Sequence, residues 1–251
     1  MNSKWFSFTK ECRDSDIRVI LFPHSGAGAS FFASWGKTFA AANMDLYPVQ
    51  YPMRESRMKD KAFTDLRAML RAFADDSLQQ LRGKKIVLYG KCFGSTAAFE
   101  MAQLLDREYG IRPELLVVSG GVVPSEMKVE KVSEGSGEEE FDGLLLKYDF
   151  VTEAQLNNSD FRKYYLPVLR ADYIMQAEYE CGSPICLPYK VLALCGSEDK
   201  KAGCESMKKW SAYTDSFTLR TFEGSHFFEN KNTLPEICGL IREQCRQSMN
   251  K

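Results

Sequence analysis

Lys85-Ile86-Val87-Leu88-Tyr89-Gly90-Lys91-Cys92-Phe93-Gly94-Ser95-Thr96-Ala97-Ala98 joins a short apolar strand signal to a run of small residues that opens a helix. A chain that passes from strand to helix in so few residues strains the residue at the apex. Positions two before and two after the apex crowd the turn and must be small, as Gly90 and Gly94 are. The apex residue is Cys92. Its sulfur is expected to point away from the sheet, at a helix N-terminus whose dipole favours thiolate, with the positive charge of Lys91 beside it. The spacing is that of the G-x-S-x-G nucleophile elbow with cysteine in place of serine. The alternative is a structural cysteine in a Gly-flanked turn, because short motifs also match by chance.

Outward from this turn, strand signals recur at 18–22, 44–49, 85–89, 115–119, 190–195 and 217–222. Most are near-continuous apolar runs, as strands of a parallel sheet covered on both faces must be. Helical patterns lie between them. Phe63, Leu66, Leu70, Phe73 and Leu81 mark one helix over 63–81, with Thr64 as its expected N-cap. Others are expected over 95–109 and 234–249, the last opened by a capping box, Thr233-Leu234-Pro235-Glu236. The alternation predicts a doubly wound, mostly parallel central sheet with helices on both faces, and the elbow placed on it points to an α/β-hydrolase fold. Residues 125–188 carry no strand signal, only helical patterns near 141–148 and 161–179 after the acidic run Glu134-Gly135-Ser136-Gly137-Glu138-Glu139-Glu140. The acidic run reads as a solvated loop, and the region as a helical lid insertion in a single domain spanning 1–251.

A triad on this fold runs nucleophile, acid, base in chain order. After Cys92 the only histidine is His226, in a loop that follows the strand signal at 217–222. That is the place of a general base at the carboxyl edge of the sheet. The preceding strand signal ends in Gly196-Ser197-Glu198-Asp199. Asp199 is the candidate acid that orients His226, and Glu198 is the alternative. The loop Phe22-Pro23-His24-Ser25-Gly26-Ala27-Gly28 follows the first clear strand. Such a loop supplies one backbone N–H to an oxyanion hole, and the residue after the nucleophile supplies the other, which assigns Ser25 and Phe93.

These segments resemble the type II, editing thioesterases of nonribosomal peptide and polyketide synthesis. Leu21-Phe22-Pro23-His24-Ser25-Gly26-Ala27 is similar to that family's Phe-Pro-His-Ala-Gly-Gly signature. Tyr51-Pro52-Met53-Arg54 with Phe63-Thr64-Asp65-Leu66 resembles its Pro-Gly-Arg and Thr-Asp-Leu segments. Leu166-Pro167-Val168-Leu169-Arg170-Ala171-Asp172 matches a lid segment, and Gly224-Ser225-His226-Phe227-Phe228 resembles the signature around the base. The resemblance implies acyl or aminoacyl substrates held as phosphopantetheine thioesters on the carrier protein domains of a synthase, with no cofactor of the enzyme's own. The chain departs from the family at the elbow, where Gly-His-Ser-Met-Gly has become Gly90-Lys91-Cys92-Phe93-Gly94, and at Met53 in place of glycine. A cysteine exchanges one thioester for another almost isoenergetically. Hydrolysis and transfer to a second carrier or an amine are therefore both open, beside a third reading as a non-catalytic synthase-binding protein.

Composition bounds the rest. At 251 residues, 44% apolar, the chain can bury an ordinary core, and a formal net charge of −1 gives no bulk attraction to nucleic acid or an anionic membrane. Residues 1–10 lack an apolar signal core, so a cytoplasmic protein is expected. The eight cysteines are scattered, without a CxxC pair, and only two histidines accompany them. Reduced thiols and no metal site are expected.

Overall fold

The structure is a computed structural model of the chain, and it describes residues 3–127, 129–131, 137–147, 150–182 and 185–247. All six strand signals form strands: β1 (Ile17–Phe22), β2 (Asp45–Pro48), β3 (Lys85–Lys91), β4 (Leu115–Ser119), β5 (Lys190–Gly196) and β6 (Phe217–Phe222). They make one sheet in the order β2-β1-β3-β4-β5-β6, with every neighbouring pair parallel. The continuous apolar runs are explained by the two cores they feed. Ile20, Phe22 and Leu88 point to one face, beneath α2 (Leu66–Ser77) and α3 (Phe93–Glu108). Val19, Leu21 and Val87 point to the other, beneath α1 (Gly36–Ala41) and α8 (Leu234–Gln247). Strand order reverses between β1 and β3, which opens a crevice at their carboxyl ends, the usual ligand position in such sheets.

Helix boundaries depart from expectation where polar side chains have other employment. Asp65, not Thr64, caps α2 by accepting the Ala68 N–H at 2.7 Å. α3 starts at Phe93 because Cys92 is itself the N-cap residue. The box expected at α8 is replaced by other bonds. Thr233 Oγ1 accepts from the Asn230 N–H and donates to the Phe228 carbonyl, while Glu236 pairs with Arg220.

Between β4 and β5 lie α4 (Glu138–Lys147), α5 (Glu153–Leu156), a π-helical turn (Phe161–Tyr165) and α6 (Leu166–Ala177). Among the described residues the segment has no strand beyond a single bridge at Leu187. It has its own small core of Phe141, Leu145, Leu156, Leu166 and Tyr173. Of the acidic run, Glu134, Gly135 and Ser136 lie outside the described residues. Glu138, Glu139 and Glu140 are not a loop but the first turn of α4, where carboxylates complement the helix dipole. A buried ion pair fastens the segment to the sheet domain. Arg54 clasps Asp172 of α6 through two bonds of 2.8 and 2.7 Å, and Asp172 also accepts the Gly26 N–H at 2.7 Å.

The expectation of reduced thiols is corrected at one pair. Cys195, at the end of β5, is disulfide-bonded to Cys204, the first residue of α7 (Cys204–Lys208). The turn between strand and helix brings their Cα atoms to 5.6 Å and closes the loop that carries Asp199. Among the described residues no helix is long and apolar enough to cross a membrane.

Candidate active site

The carboxyl edge of the sheet gathers every residue singled out for catalysis. Cys92 follows β3 with φ 53° and ψ −119°, a left-handed conformation rare for a residue with a Cβ. The turn tolerates nothing larger than glycine at its flanks. A Cβ on Gly90 would overlap the Gly94 carbonyl, and one on Gly94 would overlap the carbonyl of Phe22. Cys92 is tied to β4 through its N–H, which donates to the Ser119 carbonyl at 2.8 Å.

His226 and Asp199 arrive from the ends of β6 and β5. The His226 Nδ1–H donates to Asp199 Oδ2 at 2.7 Å, which leaves the other ring nitrogen free on the side of the cavity that it shares with Cys92. Asp199 is fixed in turn, since its Oδ1 accepts the N–H groups of Lys201 (2.8 Å) and Ala202 (3.0 Å). Asp199 is buried beside the imidazole, whereas Glu198 faces solvent, so the geometry selects Asp199 from the two carboxylates.

Burial penalises charge at all three positions, and hydrogen bonding overrides it. Burial pushes Asp199 up, but the bond to His226 and the two amides bring it down to about 2. Burial pushes His226 down, but Asp199 and then Cys92 raise it to about 9. Burial raises the Cys92 thiol, yet the His226 bond and charge, the Phe93 N–H and the charge of Lys91 leave it below the ordinary thiol range. These directions draw the proton from the Cys92 thiol toward the His226 imidazole.

Cys92 and His226 line a cavity of about 500 Å³ with His24, Ser25, Leu169, Phe150 and Phe227. Its walls are largely apolar, and Leu169 comes from α6. The Phe93 N–H lies against the Cys92 sulfur, while Ser25 lines the same space with its Oγ accepting from Gln176 Nε2 at 2.9 Å. His24 donates through Nδ1 to the Ser25 carbonyl at 2.9 Å, and burial holds it below the usual imidazole range.

Beneath the pair lies a polar cluster that spacing alone does not disclose. Lys91 is fully buried, and its ammonium donates to Glu229 Oε2 at 2.9 Å and to the His226 carbonyl. Glu229 also accepts from the Tyr89 hydroxyl at 3.0 Å and from the Ser119 hydroxyl. A lysine in a turn otherwise packed with apolar residues was the available signal; its partner is 138 positions away.

Known proteins match this chain along nearly its whole length. The thioesterase domain family model matches residues 17–245. Thioesterase PikA5 of Streptomyces venezuelae is 26% identical over 240 residues, covering 95% of this chain and 84% of that protein. The AMB antimetabolite synthetase AmbE of Pseudomonas aeruginosa is 27% identical over 230 residues, or 91% of this chain, but the chain spans only 11% of that protein's length. Among solved structures, the type II thioesterase BorB from the borrelidin biosynthetic cluster superposes with a TM-score of 0.77 at 26% identity, covering 98% of this chain and 99% of BorB. Fold, edge geometry and a match from β1 to the last turns of α8 agree: the chain belongs to the thioesterase domain family, on an α/β-hydrolase-like fold.

Proposed function

We propose that the protein cleaves acyl or aminoacyl thioesters carried on the phosphopantetheine arms of synthase carrier proteins, through an acyl-Cys92 intermediate. The reading rests on one observation above others. A cysteine held at a strained elbow shares an apolar cavity with His226, whose Nδ1–H is bonded to Asp199 at 2.7 Å. The Cys92 thiolate attacks the thioester carbonyl, and the Phe93 and Ser25 N–H groups receive the developing oxyanion. The imidazolium of His226 protonates the departing pantetheine thiolate, and neutral His226 then takes a proton from the water that attacks the acyl-enzyme. Asp199 holds the ring orientation through both steps. Residues 125–188 act as the lid, since α6 contributes Leu169 to the cavity and Gln176 to Ser25. The relatives from biosynthetic systems support carrier-bound substrates and an editing or off-loading role.

A second reading is favoured by the sulfur itself. The acyl-Cys92 thioester keeps its group-transfer potential, so a carrier thiol or an amine competes with water. One experiment separates the two. A carrier bearing an isotopically labelled acyl group is mixed with enzyme and an excess of an unloaded second carrier, and every species is followed by intact mass. Label in free acid alone identifies a hydrolase, and label on the second carrier identifies transfer. Full consumption of the loaded carrier by Cys92→Ala contradicts both.

A further inference from the structure

The Lys91–Glu229 pair is an odd tenant for its position. Lys91 has no exposed surface, and the Glu229 side chain is 1% exposed, so both charges have left water at several kcal/mol each. Neither lines the cavity that holds Cys92 and His226, so substrate contact does not explain them. Their bonds point instead at the backbone that carries the reacting groups. The Lys91 ammonium donates to the carbonyl of His226 itself, and packs 4.6 Å from the Phe228 ring centre and 5.3 Å from that of Phe227. Glu229 is bonded to Tyr89 on β3 and to Ser119 on β4, and the Ser119 carbonyl receives the Cys92 N–H. One buried cluster thus connects the strand before the nucleophile, the strand beside it and the loop of the base.

We infer that Lys91 and Glu229 are positioning residues for the Cys92–His226 pair: they fix the His226 loop against β3 and hold the Lys91 ammonium against the backbone of that loop. The inference rests on Cys92 being the nucleophile. Several charged groups bear on the pair. Asp199 faces His226, His24 lies nearby, and Lys201 and Lys147 stand in the cavity wall. Lys91 is the cation common to both: its charge lowers the Cys92 thiol and opposes protonation of His226. Anchoring through Glu229 lets a buried ammonium serve in this place, because the carboxylate, the His226 carbonyl and two aromatic faces replace its water.

The test uses purified enzyme, an acyl-loaded carrier and iodoacetamide, with the alkylated cysteine identified by peptide mass. Lys91→Met/Glu229→Met removes both charges at similar volume, a change that buried pairs commonly tolerate. In this variant kcat is expected to fall about tenfold or more, as misplacement of a reacting group predicts. KM should stay within about twofold of wild type, since the cavity wall is intact. The pH midpoint of Cys92 alkylation should rise. Glu229→Gln keeps the ammonium and an acceptor oxygen; its midpoint should stay at or fall below the wild-type value. A purely structural pair would leave both midpoints unmoved. A double variant matching wild type in kcat and midpoint, or a Glu229→Gln midpoint that rises, overturns the inference. Wild-type Cys92 that alkylates no faster than the other cysteines instead overturns the nucleophile reading beneath it.

Discussion

Sulfur at the elbow changes what the base must do. A serine hydroxyl stays protonated until attack, but Cys92 lies below the ordinary thiol range and His226 is raised to about 9. Both directions draw the proton from the thiol toward the imidazole, so in the proposed mechanism His226 acts first as an acid. His226→Ala is expected to lower turnover of a carrier thioester by roughly two to four orders of magnitude, measured as kcat/KM. Cys92→Ala removes one of the two groups that hold His226 up, so the His226 midpoint in an NMR titration should fall relative to wild type, with Asp199 keeping part of the rise. An unchanged midpoint would mean the thiol and the ring are not coupled. Strain of another kind sits at Met53, where the resembled family has glycine. Its φ of 66° costs about 1–2 kcal/mol for a residue with a Cβ. Met53→Gly should therefore raise the urea midpoint, corresponding to up to about 1 kcal/mol of added stability once the greater freedom of glycine in the unfolded chain is subtracted. A lower midpoint would mean that Met53 packing outweighs its backbone strain.

At the scale of elements, α6 is attached by charge. Arg54 and Asp172 have side chains 8% and 3% exposed, and the carboxylate also receives the Gly26 N–H from the loop that carries Ser25. The same ion pair therefore seats the lid and shapes the oxyanion loop. Asp172→Ala leaves the Arg54 guanidinium buried and unpaired, and is expected to destabilise the protein by about 3–5 kcal/mol in urea unfolding. Arg54→Met/Asp172→Leu should recover most of that stability while hydrogen exchange in α6 stays faster than in wild type. Slow exchange in the double variant would show that apolar packing of α6 suffices. The loop between β5 and α7 is closed by Cys195–Cys204, so these two thiols should resist alkylation until reductant is added, whereas exposed Cys186 should not. Immediate labelling of all three would contradict the pairing.

Across the whole molecule, the chain's pH response combines these local terms. The depressed Asp199 contributes stability that is present above about pH 4 and is lost as pH falls toward 2. The raised His226 contributes stability that is full below about pH 6.5 and is lost as pH rises through about 9. Their joint contribution is largest between these limits, and the kcat/KM profile should fall on its alkaline limb near pH 9 as the imidazolium disappears. What the sequence disclosed follows from range. Strands buried on both faces read as near-continuous apolar runs, which made β1, β3, β4 and β5 plain, whereas β6 is a partly exposed edge strand with polar positions; the placement of Cys92, Asp199 and His226 just past strand ends was legible from the same pattern. Pairings across the fold were not: Arg54 and Asp172 are 118 residues apart, and Lys91 and Glu229 are 138 apart. The capping errors at Thr64 and Thr233 have a local origin: the adjacent Asp65 caps α2, and Thr233 bonds Asn230 and Phe228 just before its helix. The central claim is that acyl groups pass through sulfur at position 92. Rapid-quench mixing of the enzyme with an acyl-loaded carrier, followed by peptide mass mapping, tests it directly. The account predicts the acyl mass on the peptide containing Cys92, in a bond that hydroxylamine cleaves at neutral pH. Turnover with no acyl group on that peptide, or an acyl group found on another residue, would contradict it.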